Sequence, residues 1–294
     1  MGRKKISKIF YKKIGLAIAF LFLIFNFQNC SKNALHLQDV SADFASESES
    51  ANPQVGSDNK KECHIDYTLK SRDVKILFLT DTSGSNVDHI RGSIHYPGTD
   101  KNKYWRQETF KSFVNKYSLK DNFQFGFLHF QNFNAKALLV DSWDRGVFSN
   151  QSLLVSKTID ETFLKLVDQG NTPYEKALNL ASEMITLDQK QNPSKEVVYV
   201  LVMISDGEPS DQKYLEEKNG ILNLRNDVKN LVNLLPGQIY LNTVFYFNLE
   251  SSFKISNIFL KAMAEEGGGQ YREANSAFDT NIVDTVQIPE TICK

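Results

Sequence analysis

Residues 74–85 read VKILFLTDTSGS, an almost continuous apolar run that ends in a short polar turn. Such a run is typical of a strand that is buried on both faces of a parallel sheet. In open sheets of this kind, ligands bind beyond the carboxyl ends of the strands. The polar turn at residues 81–85 is therefore the first candidate for a functional loop.

Further apolar runs and segments with helical spacing alternate along the rest of the chain. Strands are predicted at 123–130, 197–204 and 239–247, with a short edge strand at 135–140. Helices are predicted at 104–117, 173–187, 211–235 (broken near 219–220) and 256–266, the last one stopping at the glycines 267–269. This alternation predicts an α/β fold with a doubly wound, mostly parallel central sheet that is flanked by helices.

Three polar loops adjoin these elements and can gather oxygen atoms. The first is Asp81-Thr-Ser-Gly-Ser85, the second is Gly170-Asn-Thr-Pro173 and the third is Ser205-Asp-Gly207. Hydroxyl and carboxylate oxygens around a small cavity suit Mg²⁺, which takes hard oxygen ligands. Each loop alone also has an ordinary explanation, because the first and third could be surface turns and Thr172 could cap the following helix.

Taken together and in this order, the loops resemble the metal-ion-dependent adhesion site of the von Willebrand factor A family. The resemblance implies that Ser83, Ser85 and Thr172 offer hydroxyl oxygens to a metal ion. It also implies that Asp81 and Asp206 contribute carboxylates, often through water. One further coordination position would be filled by an acidic side chain of a protein partner.

The resemblance covers roughly residues 65–290. With only two carboxylates facing a dication, such a site stays electron-poor and attracts the carboxylate of a ligand. The chain has no EF-hand pattern of alternating acids with a twelfth-position Glu. The expected cofactor is Mg²⁺, with Mn²⁺ or Ca²⁺ as alternatives.

The N-terminal region has the layout of an export signal. Residues 3–13 carry six basic and no acidic side chains, and 14–25 form an apolar run that is short for a membrane span. Cys30 follows, which resembles a bacterial lipoprotein signal with a lipidated cysteine, although Phe27-Gln-Asn29 before it departs from the usual small residues. Ser31 favours the outer membrane by the same resemblance. An uncleaved single-pass anchor is the alternative.

These features predict three regions and a location in the cell envelope. The signal would cover 1–29, a flexible polar tether 30–62, and the von Willebrand factor A-type domain 63–294. Loss of the basic signal would change the formal charge of −1 to −7, which disfavours nucleic acid as a partner. The expected contacts are the membrane, through the lipid, and a protein.

Cys63 and Cys293 remain once Cys30 is assigned to the lipid. In an oxidising compartment they form an even pair that could join the two ends of the domain, and two free thiols are the alternative. The resemblance favours the disulfide, because some members of the family close their domain in this way.

The predicted function is binding without catalysis, so no catalytic residue is assigned. The chain has no G-x-S-x-G elbow and no phosphate-binding G-x-x-x-x-G-K-[ST] loop. Two alternatives stay open: a structural or assembly component of an envelope complex, and a metal-dependent hydrolase. The hydrolase would need more carboxylate or histidine ligands and a general base.

Overall fold

The structure is a computed structural model that describes residues 72–91, 93–138, 147–193, 196–216, 219–247 and 256–274, together with Val283 and Val286. All of them belong to one compact unit, Lys60–Lys294. The predicted signal and tether, residues 63–71 of the predicted domain, and the cysteines Cys30, Cys63 and Cys293 lie outside the described residues. Within the described ranges, no helix is long and apolar enough to cross a membrane.

Six strands of the described region form one sheet, and a separate hairpin contains two more. In chain order the strands are β1 (Asp73–Asp81), β2 (His89–Arg91), β3 (Ile94–Tyr96), β4 (Phe123–Gln131), β5 (Asn134–Leu138), β6 (Val197–Ser205), β7 (Ile239–Tyr246) and β8 (Gly268–Ala274). The sheet order is β5-β4-β1-β6-β7-β8. All neighbouring pairs are parallel except β4 and the edge strand β5.

Helices cover both faces of this sheet. They are α1 (Tyr104–Tyr117), α2 (Ser152–Lys157), α3 (Tyr174–Gln191), α4 (Gly220–Val232) and α5 (Ser256–Glu266). A π-helical turn, Thr158–Phe163, continues α2. Short 3₁₀ turns are formed by Gly84–Asn86 and Gln212–Tyr214.

The core consists of two apolar layers, because alternate side chains of a strand point to opposite faces. Ile76 and Phe78 of β1 pack in the layer that contains α1 and α2, whereas Leu77 and Leu79 pack in the layer that contains α3, α4 and α5. All nine residues of the central strand β6 are buried. The predicted doubly wound, mostly parallel α/β fold is confirmed.

Glycines lie at two places where the elements differ from the predicted ones. The first part of the predicted helix 211–235 is a 3₁₀ turn, and α4 begins at Gly220, at the break predicted near 219–220; a Cβ at Gly220 would lie 1.9 Å from Tyr214 O. The glycines expected only to end the last helix begin β8. A Cβ at Gly269 would lie 2.2 Å from Leu241 O, so glycine permits the close approach of β8 to β7.

Candidate metal centre

The three polar loops meet at one edge of the sheet because their strands are neighbours. β1 ends at Asp81 and β6 ends at Ser205, and Thr80 pairs with Ile204 in the parallel register of these strands. Their carboxyl ends therefore lie side by side. The first loop is also joined to the second, since Gly84 N donates to Gly170 O at 3.0 Å.

A continuous set of hydrogen bonds connects four of the predicted site residues. Ser83 N donates to Asp81 Oδ1 at 2.7 Å, and the hydroxyls of Ser83 and Ser85 are 2.9 Å apart. Ser85 Oγ donates to Asp206 Oδ1 at 2.7 Å. The second carboxylate oxygen of Asp81 accepts a 2.5 Å hydrogen bond from Ser205 Oγ. Side chains from the first and third loops thus form one cluster.

The fifth residue, Thr172, lies beside this cluster. A Cβ placed on Gly207 would be 2.9 Å from Thr172 Oγ1 and 3.6 Å from Ser85 Oγ, so both hydroxyls surround the same point. Thr172 is not the cap of α3, because Pro173 holds the N-cap position. Ser210 N donates to Thr172 O at 2.9 Å and holds the second loop against the third.

Burial makes the charged forms of the two carboxylates of the cluster unfavourable. Burial, together with the negative charge of Asp206, raises the pKa of Asp81 to about 7. Burial also raises the pKa of Asp206, although hydrogen bonding by the side chains of Thr99 and Ser85 and the charge of Arg106 oppose the shift. Asp206 Oδ2 is buried and has no hydrogen-bond partner among the described residues. Buried carboxylates of this kind are costly unless a cation or a donor compensates them.

These donors fit a small divalent cation. The cluster offers hard hydroxyl and carboxylate oxygens, as Mg²⁺ and Mn²⁺ prefer, and Asp206 Oδ2 has no hydrogen-bond partner among the described residues. The structure brings all five predicted side chains together, and their role as metal ligands stays a prediction. Within the described ranges, no group of three or more His, Cys, Asp or Glu side chains is arranged for a metal.

Arg106 is a supporting residue that the sequence analysis missed. Its buried guanidinium donates to Asp81 O at 2.7 Å, to Asp100 Oδ2 at 2.9 Å and to Asp168 Oδ2 at 2.8 Å. Burial lowers the pKa of Arg106, but Asp168 and Asp100 outweigh this effect and raise it above its usual value. A signal was available: Arg106 lies on the apolar stripe of α1, four residues before the buried Phe110.

The sequence analysis also missed Tyr174, which is hydrogen-bonded to the third loop. Its buried hydroxyl lies 2.8 Å from Gly207 O and 3.1 Å from Ser205 Oγ. Ser205 in turn donates to Asp81. A tyrosine at the first position of α3 therefore helps to orient a carboxylate that belongs to a different strand. No local sequence signal distinguishes it from an ordinary core aromatic residue.

His129 contacts the first loop through Thr82, which is not one of the five residues of the cluster. Its Nδ1 is 3.0 Å from Thr82 Oγ1. Burial, with a further contribution from the charge of Lys136, lowers the pKa of His129 to about 4, so its ring is neutral at pH 7. The structure therefore places His129 as a buried sheet residue.

Comparisons with known proteins give only distant structural similarity. No protein-family model matches the chain, and no curated protein matches it. A structure of three N-terminal domains of the type V pili tip protein Mfa5 from Porphyromonas gingivalis gives a TM-score of 0.49 at 12% identity, covering 74% of this chain and 49% of that chain. The vWF domain of the same Mfa5 protein gives 0.45 at 12% identity, covering 76% and 99%.

The manganese-loaded TRAP protein of Plasmodium vivax gives a TM-score of 0.45 at 13% identity, with 69% of each chain covered. The chain spans about half of the length, or less, of the first solved structures that it matches. Solved structures that resemble this chain thus include von Willebrand factor A-type domains.

Proposed function

We propose that this chain is a protein-binding module of the von Willebrand factor A type that holds a divalent cation through Asp81, Ser83, Ser85, Thr172 and Asp206. The observation that carries the proposal is the convergence of these side chains at the sheet edge, with Asp206 Oδ2 buried and unpartnered. When bound, Mg²⁺ or Mn²⁺ would supply a Lewis-acidic position for an acidic side chain of a partner.

The residues of the cluster have separate tasks. Ser83 N and Ser205 Oγ hold both oxygens of Asp81, which fixes the orientation of this carboxylate. Ser85 holds Asp206 Oδ1 and leaves Oδ2 for the cation. The hydroxyls of Ser83, Ser85 and Thr172 provide neutral oxygens, so only two carboxylates would offset the charge of the dication, and the ion would stay electron-poor enough to bind a carboxylate of the partner.

Binding is favoured over hydrolysis by the same contacts. Hydrolysis with a metal needs a general base beside the open coordination position. Both oxygens of Asp81 already accept hydrogen bonds, and His129 is engaged with Thr82 behind the loop. We therefore propose a non-enzymatic function, in which the domain acts in the cell envelope on a lipid anchor at Cys30. This location is supported by the N-terminal sequence alone.

Calorimetric titration of the purified domain with MgCl₂ and MnCl₂ tests the proposal. We expect one site per chain, lost in Asp81→Ala and in Thr172→Ala. Asp121→Ala is the matched control, because Asp121 is an exposed aspartate just before β4, at the opposite end of the sheet. Equal metal affinity in all four proteins would refute the site. Retained far-UV circular dichroism in the variants separates loss of ligands from loss of fold.

A further inference from the structure

Two hairpins and one loop project from the sheet edge that contains the metal cluster. The residues that follow the β2–β3 hairpin are bonded to the first metal loop and to the residue after it: Thr99 N donates to Ser85 O at 3.1 Å, and Asp100 N donates to Asn86 O at 3.2 Å. Ile90 of this hairpin is 73% exposed. An exposed aliphatic side chain thus lies on a hairpin whose C-terminal flank is hydrogen-bonded to a predicted ligand residue.

The turn between β4 and β5 lies at the same edge of the sheet as the cluster. β4 runs beside β1, with Phe130 opposite Asp81, so its next residues extend past the metal edge. With its amide oriented to satisfy its neighbours, the Gln131 side chain donates to Thr82 O and to Val167 O, both at 2.7 Å. Phe133, two residues further, is 74% exposed.

The segment 167–170 joins this turn to the metal loops. Gly170 has a φ of +70°, and a Cβ there would lie 1.6 Å from Asn132 Oδ1, so the turn packs directly on this glycine. Gln169 N donates to Thr82 O at 2.9 Å. Val167, at the start of the segment, is 67% exposed. These bonds fix the backbone that presents Phe133 and Val167.

We name Ile90, Phe133 and Val167 the apolar rim. Single exposed apolar residues are common on proteins and need no explanation. The rim differs because its three members stand on three separate segments, each of which contains or is followed by a residue that is hydrogen-bonded to the first metal loop. A partner that covers a preorganised backbone loses little conformational entropy in ordering it. Apolar contact would therefore add to affinity at this face.

We propose that the partner of the metal centre is a protein segment in which an acidic residue is flanked by large apolar side chains. The inference rests on the proposed function, because the acidic residue is required by the cation. The rim adds the second requirement: a carboxylate on a small metabolite or on a wholly polar peptide would leave Ile90, Phe133 and Val167 in water. A segment with neighbouring leucine or phenylalanine side chains would cover them.

The test uses three synthetic peptides displayed on beads at high density, with the full domain loaded with Mn²⁺ in solution. One peptide has Asp between Leu and Phe, the second has Asp between two serines, and the third has Asn between Leu and Phe. We expect the first to retain the domain roughly tenfold more strongly than the second, as burial of one or two apolar side chains would give. The third should retain none, and chelator should release the first.

Variants test whether the apolar rim causes the preference for the peptide with apolar flanks. Phe133→Ser combined with Val167→Ser should remove the tenfold difference while leaving Mn²⁺ affinity and retention by the serine-flanked peptide unchanged. Leu119→Ser is the matched control, because Leu119 is 93% exposed but lies between α1 and β4, at the end of the sheet opposite the metal loops. This control should retain the full preference for apolar flanks.

Failure of the inference and failure of the proposed function give different results. If both Asp peptides retain the domain equally and chelator still releases it, the proposed role of the apolar rim is wrong, while the metal-dependent function is not contradicted. Retention by the Asn peptide equal to that by its Asp counterpart, retention that chelator does not affect, or no retention by either Asp peptide would contradict the function itself. If Leu119→Ser loses the preference as much as the double variant does, the proposed role of the apolar rim is also wrong.

Discussion

Ser205 Oγ donates a 2.5 Å hydrogen bond to Asp81 Oδ2, although the two residues are 124 positions apart in the chain. This bond links the carboxyl ends of β1 and β6 and holds a buried carboxylate in place. The hydrogen bond from Ser205 lowers the pKa of Asp81, but burial and the charge of Asp206 outweigh it and raise the pKa to about 7. The charged form of this buried carboxylate therefore lowers the stability of the metal-free fold.

Asp81→Asn should show how much the buried charge of Asp81 destabilises the metal-free protein. The pKa of Asp81 rises from 3.8 in a model peptide to about 7 in the folded state, so the metal-free protein loses stability as the pH rises from about 3.8 to about 7, and the loss is complete above that pH. At pH 8 we expect the metal-free variant to melt a few degrees higher than the wild type, and to show no further rise with Mg²⁺. The wild type should gain stability with Mg²⁺. Thermal melts with chelator and with MgCl₂ measure both effects, and a metal-free variant that melts lower would contradict the explanation.

Gly207→Ala should weaken cation binding without unfolding the domain. The added methyl group would lie 2.9 Å from Thr172 Oγ1, which is too close, whereas its next contact, Ser85 Oγ, is at 3.6 Å. Thr172 must therefore move, and we expect Mn²⁺ affinity to fall at least about tenfold, the equivalent of roughly 1.4 kcal/mol. Glu208→Ala, one residue further, is the control and should bind normally. Unchanged affinity in Gly207→Ala would mean that Thr172 is not a ligand.

Arg106→Gln should destabilise the domain strongly. The change leaves Asp100 and Asp168 buried without their cation, and breaking a buried ion pair in this way costs about 3–5 kcal/mol. The matched control is Lys111→Gln, which breaks the largely exposed pair with Asp160 and should cost less than about 1 kcal/mol. Urea denaturation of the two variants gives the comparison. Similar midpoints for both would show that the Arg106 network contributes little.

His129 should make the folded state sensitive to acid. Its pKa falls from 6.5 to about 4 on folding, so below pH 6.5 the unfolded chain binds a proton that the folded chain does not. Stability is therefore lost as the pH falls from about 6.5 to 4, by roughly 2–3 kcal/mol over this window. His129→Gln lacks this loss. Denaturation of both proteins at several pH values should show the wild type losing more stability than the variant, and parallel curves would refute it.

Much of the fold could be predicted from the sequence because its signals are local. A strand buried on both faces is apolar throughout, as β6 is, and α1 shows its apolar stripe. The limits of α1 and α5 match the predicted ones. The β2–β3 hairpin and α2 with its π-helical turn were not predicted, because strands of three residues and a helix of six are too short for periodicity to identify.

The five residues of the candidate centre could be named from the sequence because each stands at a fixed place after a strand or before a helix. Their support could not be named in the same way. Arg106, Tyr174 and Ser205 act through contacts between segments that are distant in sequence, such as the bond from Arg106 to Asp81 O. Their burial and pairing depend on how the strands are ordered, which local patterns do not specify.

The most direct test of the metal centre is an anomalous difference map from crystals of the domain grown with MnCl₂ and measured at the manganese edge. We expect one strong peak in contact with the hydroxyls of Ser83 and Ser85 and within reach of Thr172, Asp81 and Asp206. A peak elsewhere on the chain, or a well-ordered cluster of these five side chains without any peak, would contradict the account.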